Sequence, residues 1–240
     1  MPRPEVIEAM AMASTSFVGL MELNEKVGEY IAQITGAEAG MVCSGAAGGV
    51  VLSMAACMTG KNVGFVRQLP DTTGMKNELA IQKIHRGGYS DMYTFAGAKF
   101  NEAGTVNGCL AEELDLSIND NTAAVAYLFA PGALTNGLTL REVSEIAHAR
   151  GVPVIVDAAA MLPPKSNLRT YIEDGADLVT MSGGKYIRGP QGAGLLFGRK
   201  DLIEAATLNT APNHSIGRPQ KVTKDEMVGL HTALKLFMES

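Results

Sequence analysis

Residues 151–199 read GVPVIVDAAAMLPPKSNLRTYIEDGADLVTMSGGKYIRGPQGAGLLFGR, and their pattern decides the fold. Residues 152–156 form a short apolar run that ends on Asp157. A second apolar run, 176–181, ends on Ser182-Gly183-Gly184-Lys185, and a third, 193–197, follows the glycine-rich loop after it. Apolar runs of this length bounded by turn residues predict buried strands. Two polar side chains need a reason in such a setting. Asp157 stands at the carboxyl end of a near-continuous apolar strand, where open α/β sheets place their ligand crevice. Lys185 follows another strand directly, among residues too small to cover it.

A lysine amine captures carbonyl compounds as Schiff bases, and pyridoxal 5'-phosphate is the commonest such carbonyl. That cofactor also requires an acidic partner for its ring nitrogen, because the protonated pyridine is the electron sink. One sheet could present Asp157 and Lys185 to one ring. A surface lysine in a glycine turn and an aspartate capping a helix explain the same spacing equally well.

Working outward, 121–129 is a further buried strand ending in Ala130-Pro131-Gly132, and 78–84 another. Helical periodicity marks 22–35, through Leu23, Val27, Ile31 and Ile34 with Gly36 as the stop, and 138–150, through Leu140, Val143, Ile146 and Ala147. Helices are also expected over 5–13, 48–58, 91–97, 199–208 and 224–238, a short strand over 99–102 and a polar loop over 63–76. His148 near the end of its helix is read as structural, since a cation there complements the helix dipole. Alternating strands and helices predict an α/β fold of three layers, a mostly parallel sheet with helices on both faces.

Ser44-Gly45-Ala46-Ala47 is expected as a turn opening the 48–58 helix. Small residues at a helix start leave the first N–H groups open to an anion, here a cofactor phosphate. The other reading is a close helix–helix contact. His85, just beyond a strand end, either stacks on a flat ring or is a loop residue. Arg86, Arg188 and Arg218 are the cations suited to a carboxylate or phosphate, guanidinium forks matching both. Ordinary surface pairing is the alternative for Arg188 and Arg218.

The succession VIVDAAA, ADLVTMSGGK and RGPQGAGLLFGRKDLI resembles fold-type-I pyridoxal phosphate enzymes of the selenocysteine synthase-like (SelA) group, over residues 4–236. The resemblance implies pyridoxal 5'-phosphate on Lys185, Asp157 at its ring nitrogen, Ser44 to Ala47 and Ser182 at its phosphate, and His85 against its ring. It implies a lyase that removes ammonia from a β-hydroxy amino acid, a phosphorylated sugar amino acid being the expected substrate, with Arg86, Arg188 and Arg218 as substrate cations. A selenium transferase, or a cofactor-binding relative without catalysis, is the alternative. The site in such enzymes lies at a dimer interface, so a homodimer or larger homo-oligomer is expected, with His214 and Arg218 available to a neighbouring copy. Relatives usually carry a further N-terminal segment and a C-terminal small domain, so this chain is expected to be shortened at both ends. The division expected is an N-terminal helical segment (1–35), a cofactor-binding large domain (36–205) and the start of a small domain (206–240).

Bulk properties narrow the classes. At 240 residues, 46 % hydrophobic and 19 % charged, the chain can bury a substantial core. A net charge of −5 leaves no basic footprint for nucleic acid, which counts against a tRNA substrate. Three cysteines without CxxC spacing read as reduced, cytoplasmic thiols. Residues 39–60 carry no charge but are broken by Ser and Gly, so a buried helix is expected and not a membrane span. Four scattered histidines offer no metal site, and no nucleophile elbow, Walker loop or dinucleotide loop is present.

Overall fold

The computed structural model describes residues 1–129 and 136–240; the expected strand end at Ala130-Pro131-Gly132 lies outside them. Two helices open the chain, α1 (Pro4–Ser14) and α2 (Leu20–Thr35), the second stopped by Gly36 in the left-handed conformation at φ 72°. Strand β1 (Ala39–Cys43) leads into α3 (Gly45–Thr59). Then come α4 (Val63–Gln68), β2 (Glu78–Gln82), β3 (Lys99–Ala103), α5 (Ala111–Ser117) and β4 (Thr122–Leu128). The stretch that decides the fold holds α6 (Leu140–Ala149) just before it, then β5 (Val154–Asp157), α7 (Asn167–Glu173), β6 (Leu178–Ser182) and β7 (Gly194–Gly198). Helices α8 (Lys200–Leu208) and α9 (Lys224–Glu239) follow.

The seven strands form one sheet in the order β1-β7-β6-β5-β4-β2-β3. All pairs from β6 to β3 are parallel, and β7 runs antiparallel to both its neighbours. The mostly parallel sheet is therefore as expected. Alternate residues of the central strands enter different cores. Val125, Val154, Val156, Val179, Leu195 and Phe197 join the core that also holds side chains of α2, α6, α7 and α9. Ala124, Ala126 and Ile155 pack with α3 on the opposite face, as do Leu178 and Leu196. Both faces are thus covered, which is why these strands read as continuous apolar runs and not as alternating ones. Each Val or Leu removed from water in this way stabilises the fold by about 1.5–3 kcal/mol. Side chains of 1–35 and 206–240, among them Val6, Ile31, Val222 and Leu230, belong to the first of these cores.

The free edge of β1 is covered by α2. Asn24 donates to Val42 O at 3.1 Å and accepts from Val42 N at 2.7 Å, taking the place of a missing neighbour strand. The backbones meet closely here, since a Cβ on Gly28 would lie 2.0 Å from Gly40 O.

Several sequence expectations need correction. Residues 63–68 are helical where a loop is expected: the Asn62 side chain accepts from Gly64 N and Phe65 N and starts a helix too short to show a period. Helix α5 lies in a stretch where the sequence pattern predicts no element. Residues 83–85 and 90–96 are 3-10 turns, the first replacing the end of a strand and the second a short helix. Ser44 to Ala47 are not a turn ahead of a helix but its cap and first turn. Among the described residues no helix is long and apolar enough to cross a membrane, and residues 39–60 are β1 and buried α3.

Candidate active site

Strand polarity brings the carboxyl ends of β1, β6, β5 and β4 to one edge of the sheet, beside the amino end of β7. Cys43 and Ser182 are both register partners of Gly194, and Asp157 pairs with Thr180 on one side and Leu128 on the other. Every sequence-predicted cofactor residue stands on or just beyond this edge.

The head of α3 is fixed over it by two close contacts. Thr180 Oγ1 donates to Ala46 O at 3.2 Å, and Gly49 packs so near Thr180 that a Cβ there would lie 2.0 Å from that hydroxyl. A Cβ on Gly194 would lie 2.5 Å from the carbonyl carbon of Gly45, so only glycine lets the helix start settle on β7. The small residues read from sequence therefore serve packing, and they leave the helix head open as well. Gly45 adopts φ 64°, and a Cβ there would meet nothing within 4 Å. The first intrahelical bond is Gly48 N to Ser44 O at 3.1 Å, so the N–H groups ahead of it have no helical acceptor. Ser44 makes no side-chain cap bond.

Lys185 sits on a closed loop between β6 and β7. Gly183 N donates to Ala193 O at 2.9 Å, Gly189 N to Gly183 O at 2.8 Å, and Arg188 N to Lys185 O at 3.0 Å. The Gln191 amide adds a bond to Gly184 O at 3.0 Å. Arg188 closes this turn at φ 60°, and among the described residues it is the one non-glycine with positive φ. That conformation costs about 1–2 kcal/mol for an L-residue, and strain of this kind gathers at functional sites. Lys185 and Ser182 line a cleft with Ala158, Ala159 and Tyr186.

Asp157 lines the adjoining cleft with His85, Ser90, Tyr93 and Tyr127. Its side chain is only 7 % exposed. Among the described residues its carboxylate accepts one hydrogen bond, from Ala159 N at 3.0 Å. Burial raises its pKa, while that hydrogen bond and the nearby Lys185 charge lower it. Tyr93 beneath it is pushed well up by burial and by the Asp157 charge, so its phenol stays protonated. Cys43 is raised to about 12 by burial under the helix head and carries no nucleophilic thiolate.

The remaining candidates separate. His85 is 1 % exposed and meets Tyr127 edge-on at 4.5 Å, at the Asp157 cleft. Arg86, one residue on, is occupied within the chain. It bonds Glu102 at 3.0 Å, Ser90 at 2.6 Å and Asp91 at 3.2 Å, and lies 3.7 Å over the Phe100 ring. Arg188 is exposed and donates from Nε to Met1 O at 3.0 Å. Arg218 and His214 are exposed on the segment between α8 and α9. His148 lies at the opposite edge, bonded to Asp177 at 2.8 Å, in the structural role expected of it. Sequence reasoning passed over Thr180, Tyr93 and Gln220, because none carries a motif and only the folded sheet brings them to the site. Among the described residues no three His, Cys, Asp or Glu side chains cluster as metal ligands.

A mostly parallel sheet with one antiparallel strand, helices on both faces and a lysine and a buried carboxylate at its carboxyl edge make up the fold-type-I architecture. Residues 21–240 match the family described as SelA: L-seryl-tRNA selenium transferase, and the chain belongs to that family. It is 35 % identical over 239 residues to D-glucosaminate-6-phosphate ammonia lyase of Salmonella typhimurium, a match covering 98 % of this chain and 63 % of the relative. A solved D-glucosaminate-6-phosphate ammonia-lyase superposes with a TM-score of 0.92 at 33 % identity, over 100 % of this chain and 64 % of that one. The pyridoxal-5'-phosphate dependent protein YhfS from Escherichia coli shares the fold, with a TM-score of 0.66 at 16 % identity over 95 % of this chain and 61 % of its own. The chain thus spans less than two thirds of the length of each.

Proposed function

We propose that this chain is the cofactor-binding core of a pyridoxal 5'-phosphate-dependent, cytoplasmic, homo-oligomeric lyase. Its reaction would remove ammonia from a β-hydroxy amino acid of the phosphorylated sugar class, such as D-glucosaminate 6-phosphate. The observation that carries the reading is the buried Asp157 carboxylate with a lysine charge within electrostatic reach, at the carboxyl edge of the sheet. A buried carboxylate with a single backbone donor is under-satisfied, and a protonated ring nitrogen is the partner that would repay its burial.

Lys185 would hold the cofactor through its amine, Asp157 would pair with the ring nitrogen, and His85 would lie against the ring. Ser44, the open N–H groups of Gly45, Ala46 and Ala47, and Ser182 would take the phosphate. Bound there, pyridoxal phosphate supplies the electron sink that lets an α-C–H bond break. Asp157, kept ionised by the positive ring nitrogen, holds the proton on that nitrogen. The Lys185 amine, freed when substrate binds, takes the α-proton at Nζ. Lys185 Nζ would hand that proton on to the departing β-hydroxyl, which leaves as water, and hydrolysis of the enamine product would yield a 2-keto acid and ammonia. Arg188, held by its strained turn three residues after Lys185, is the cation best set for the substrate carboxylate or phosphate. Arg218 is a second, and Arg86 would have to leave Glu102 to serve.

The family takes its name from a selenium transferase of L-seryl-tRNA, but a net charge of −5 weighs against that substrate here. The test is to titrate the purified chain with pyridoxal phosphate and then add D-glucosaminate 6-phosphate. A visible band that borohydride bleaches, followed by release of ammonia and a 2-keto acid, supports the reading. A chain that takes up no pyridoxal phosphate ends it.

A further inference from the structure

The segment between α8 and α9 folds back over α3. Thr210 and Gly217 form a bridge, and Gly217 N donates to Asn209 O at 2.9 Å. Gly217 is pressed against α3, since a Cβ there would lie 2.7 Å from Leu52 Cδ2. A 3-10 turn, Arg218–Gln220, then carries the Gln220 side chain to the head of the helix.

A Cβ on Gly48 would lie 3.2 Å from Gln220 Oε1 and 3.0 Å from Ser44 Cβ, so both side chains rest on the same glycine. Gln220 Oε1 is buried without a partner, and among the described residues neither end of the amide forms a hydrogen bond. A buried polar group left unpaired is costly, and native structures pair nearly all of them. The unpaired amide, the uncapped Ser44 and the open N–H groups ahead of Gly48 therefore meet at one point. A side-chain amide offers two donors and one acceptor, and a half-turn about its last torsion exchanges them.

We propose that Gln220 is a wall of the phosphate cradle, donating through Nε2 to the cofactor phosphate beside Ser44. The inference rests on the reading of the site as a pyridoxal phosphate site and adds a residue to it from a segment remote in sequence. It also gives the 209–220 segment a task, that of closing the cradle from above α3.

The experiment compares pyridoxal phosphate with pyridoxal, which has the same ring and aldehyde but no phosphate. Both are titrated into the wild-type chain, Gln220→Ala and Gln220→Glu, following the Lys185-dependent absorption band. Gln220→Ala is expected to weaken pyridoxal phosphate about tenfold, as for one lost hydrogen bond to a charged group, and to leave pyridoxal unchanged. Gln220→Glu, nearly the same shape but acidic, is expected to weaken pyridoxal phosphate further and again to spare pyridoxal. Equal loss for both compounds, as from a packing defect or misfolding, overturns the inference, and so does no loss for either. Should the wild-type chain bind neither compound, the cofactor reading itself falls and takes this inference with it. A wild-type band with indifferent Gln220 variants sinks only the inference.

Discussion

The ammonium of Lys185 lies near enough to the Asp157 carboxylate to pull its pKa down, against the burial that raises it. The two residues come from different strand ends, and among the described residues no other lysine acts on Asp157 in this way. A cationic ring nitrogen between them would replace a distant charge with a contact partner.

Asp157→Asn separates the cost of this carboxylate from its use. Because burial raises its pKa, the folded chain holds the Asp157 proton more tightly than the unfolded chain does. Its contribution to stability is present below the unfolded pKa and lost as pH rises through the folded one. The apoprotein of the Asn variant is therefore expected to melt higher than wild type at neutral pH, with the gap closing as pH falls into the ordinary carboxyl range. Turnover is expected to drop about 10²–10³-fold, as when a charge-stabilising group is removed. Thermal melts across pH and an ammonia assay check both.

Gly194→Ala tests the seat of α3. The new methyl would meet the Gly45 backbone at 2.5 Å, where nothing flexible can give way. The helix head must shift, so cofactor affinity is expected to fall at least about tenfold, one hydrogen bond to a charged group being worth that much. Near-native circular dichroism with weakened pyridoxal phosphate titration is the expected pair of results.

Asp177→Ala probes the opposite edge of the sheet. Asp177 is 6 % exposed and accepts from Val154 N at 2.7 Å, His148 at 2.8 Å and Arg199 at 3.1 Å. Its removal leaves the buried Val154 N–H unpaired and frees two half-exposed cations, and is expected to cost about 1–3 kcal/mol in urea unfolding. His148→Ala, whose side chain is partly exposed, is expected to cost less, and the cofactor band should persist in both variants while they are folded.

Much of the site was legible before folding. Strands β4, β5 and β6 stand out as apolar runs because both faces of the sheet are covered, and the polar residues closing β5 and β6 are those on which the candidate site is built. The helix head at Ser44 was visible as a run of small residues, although its start was placed late, at Gly48, since Ser44-Gly45 reads as a turn former. Helix α4 escaped notice because its signal is one capping asparagine and not a period. Helix α5 depends on Glu113 reaching back to Leu110 N at 2.8 Å, a local bond that hydrophobic patterning does not register. Gln220 and Thr180 were beyond reach: their placement beside the head of α3 comes from register and from a segment folding back, and neither leaves a local trace. Arg86 shows the reverse, a residue type suited to an anion that the fold spends on Glu102 and Phe100.

The central claim is that Lys185 is the residue to which the cofactor is joined. The chain should be loaded with pyridoxal phosphate, reduced with borohydride, digested and analysed by peptide mass spectrometry. The account predicts the reduced adduct on the peptide carrying Lys185, and its disappearance in Lys185→Ala. An adduct on a different lysine with Lys185 unmodified, or no adduct from a loaded and reduced sample, would contradict it.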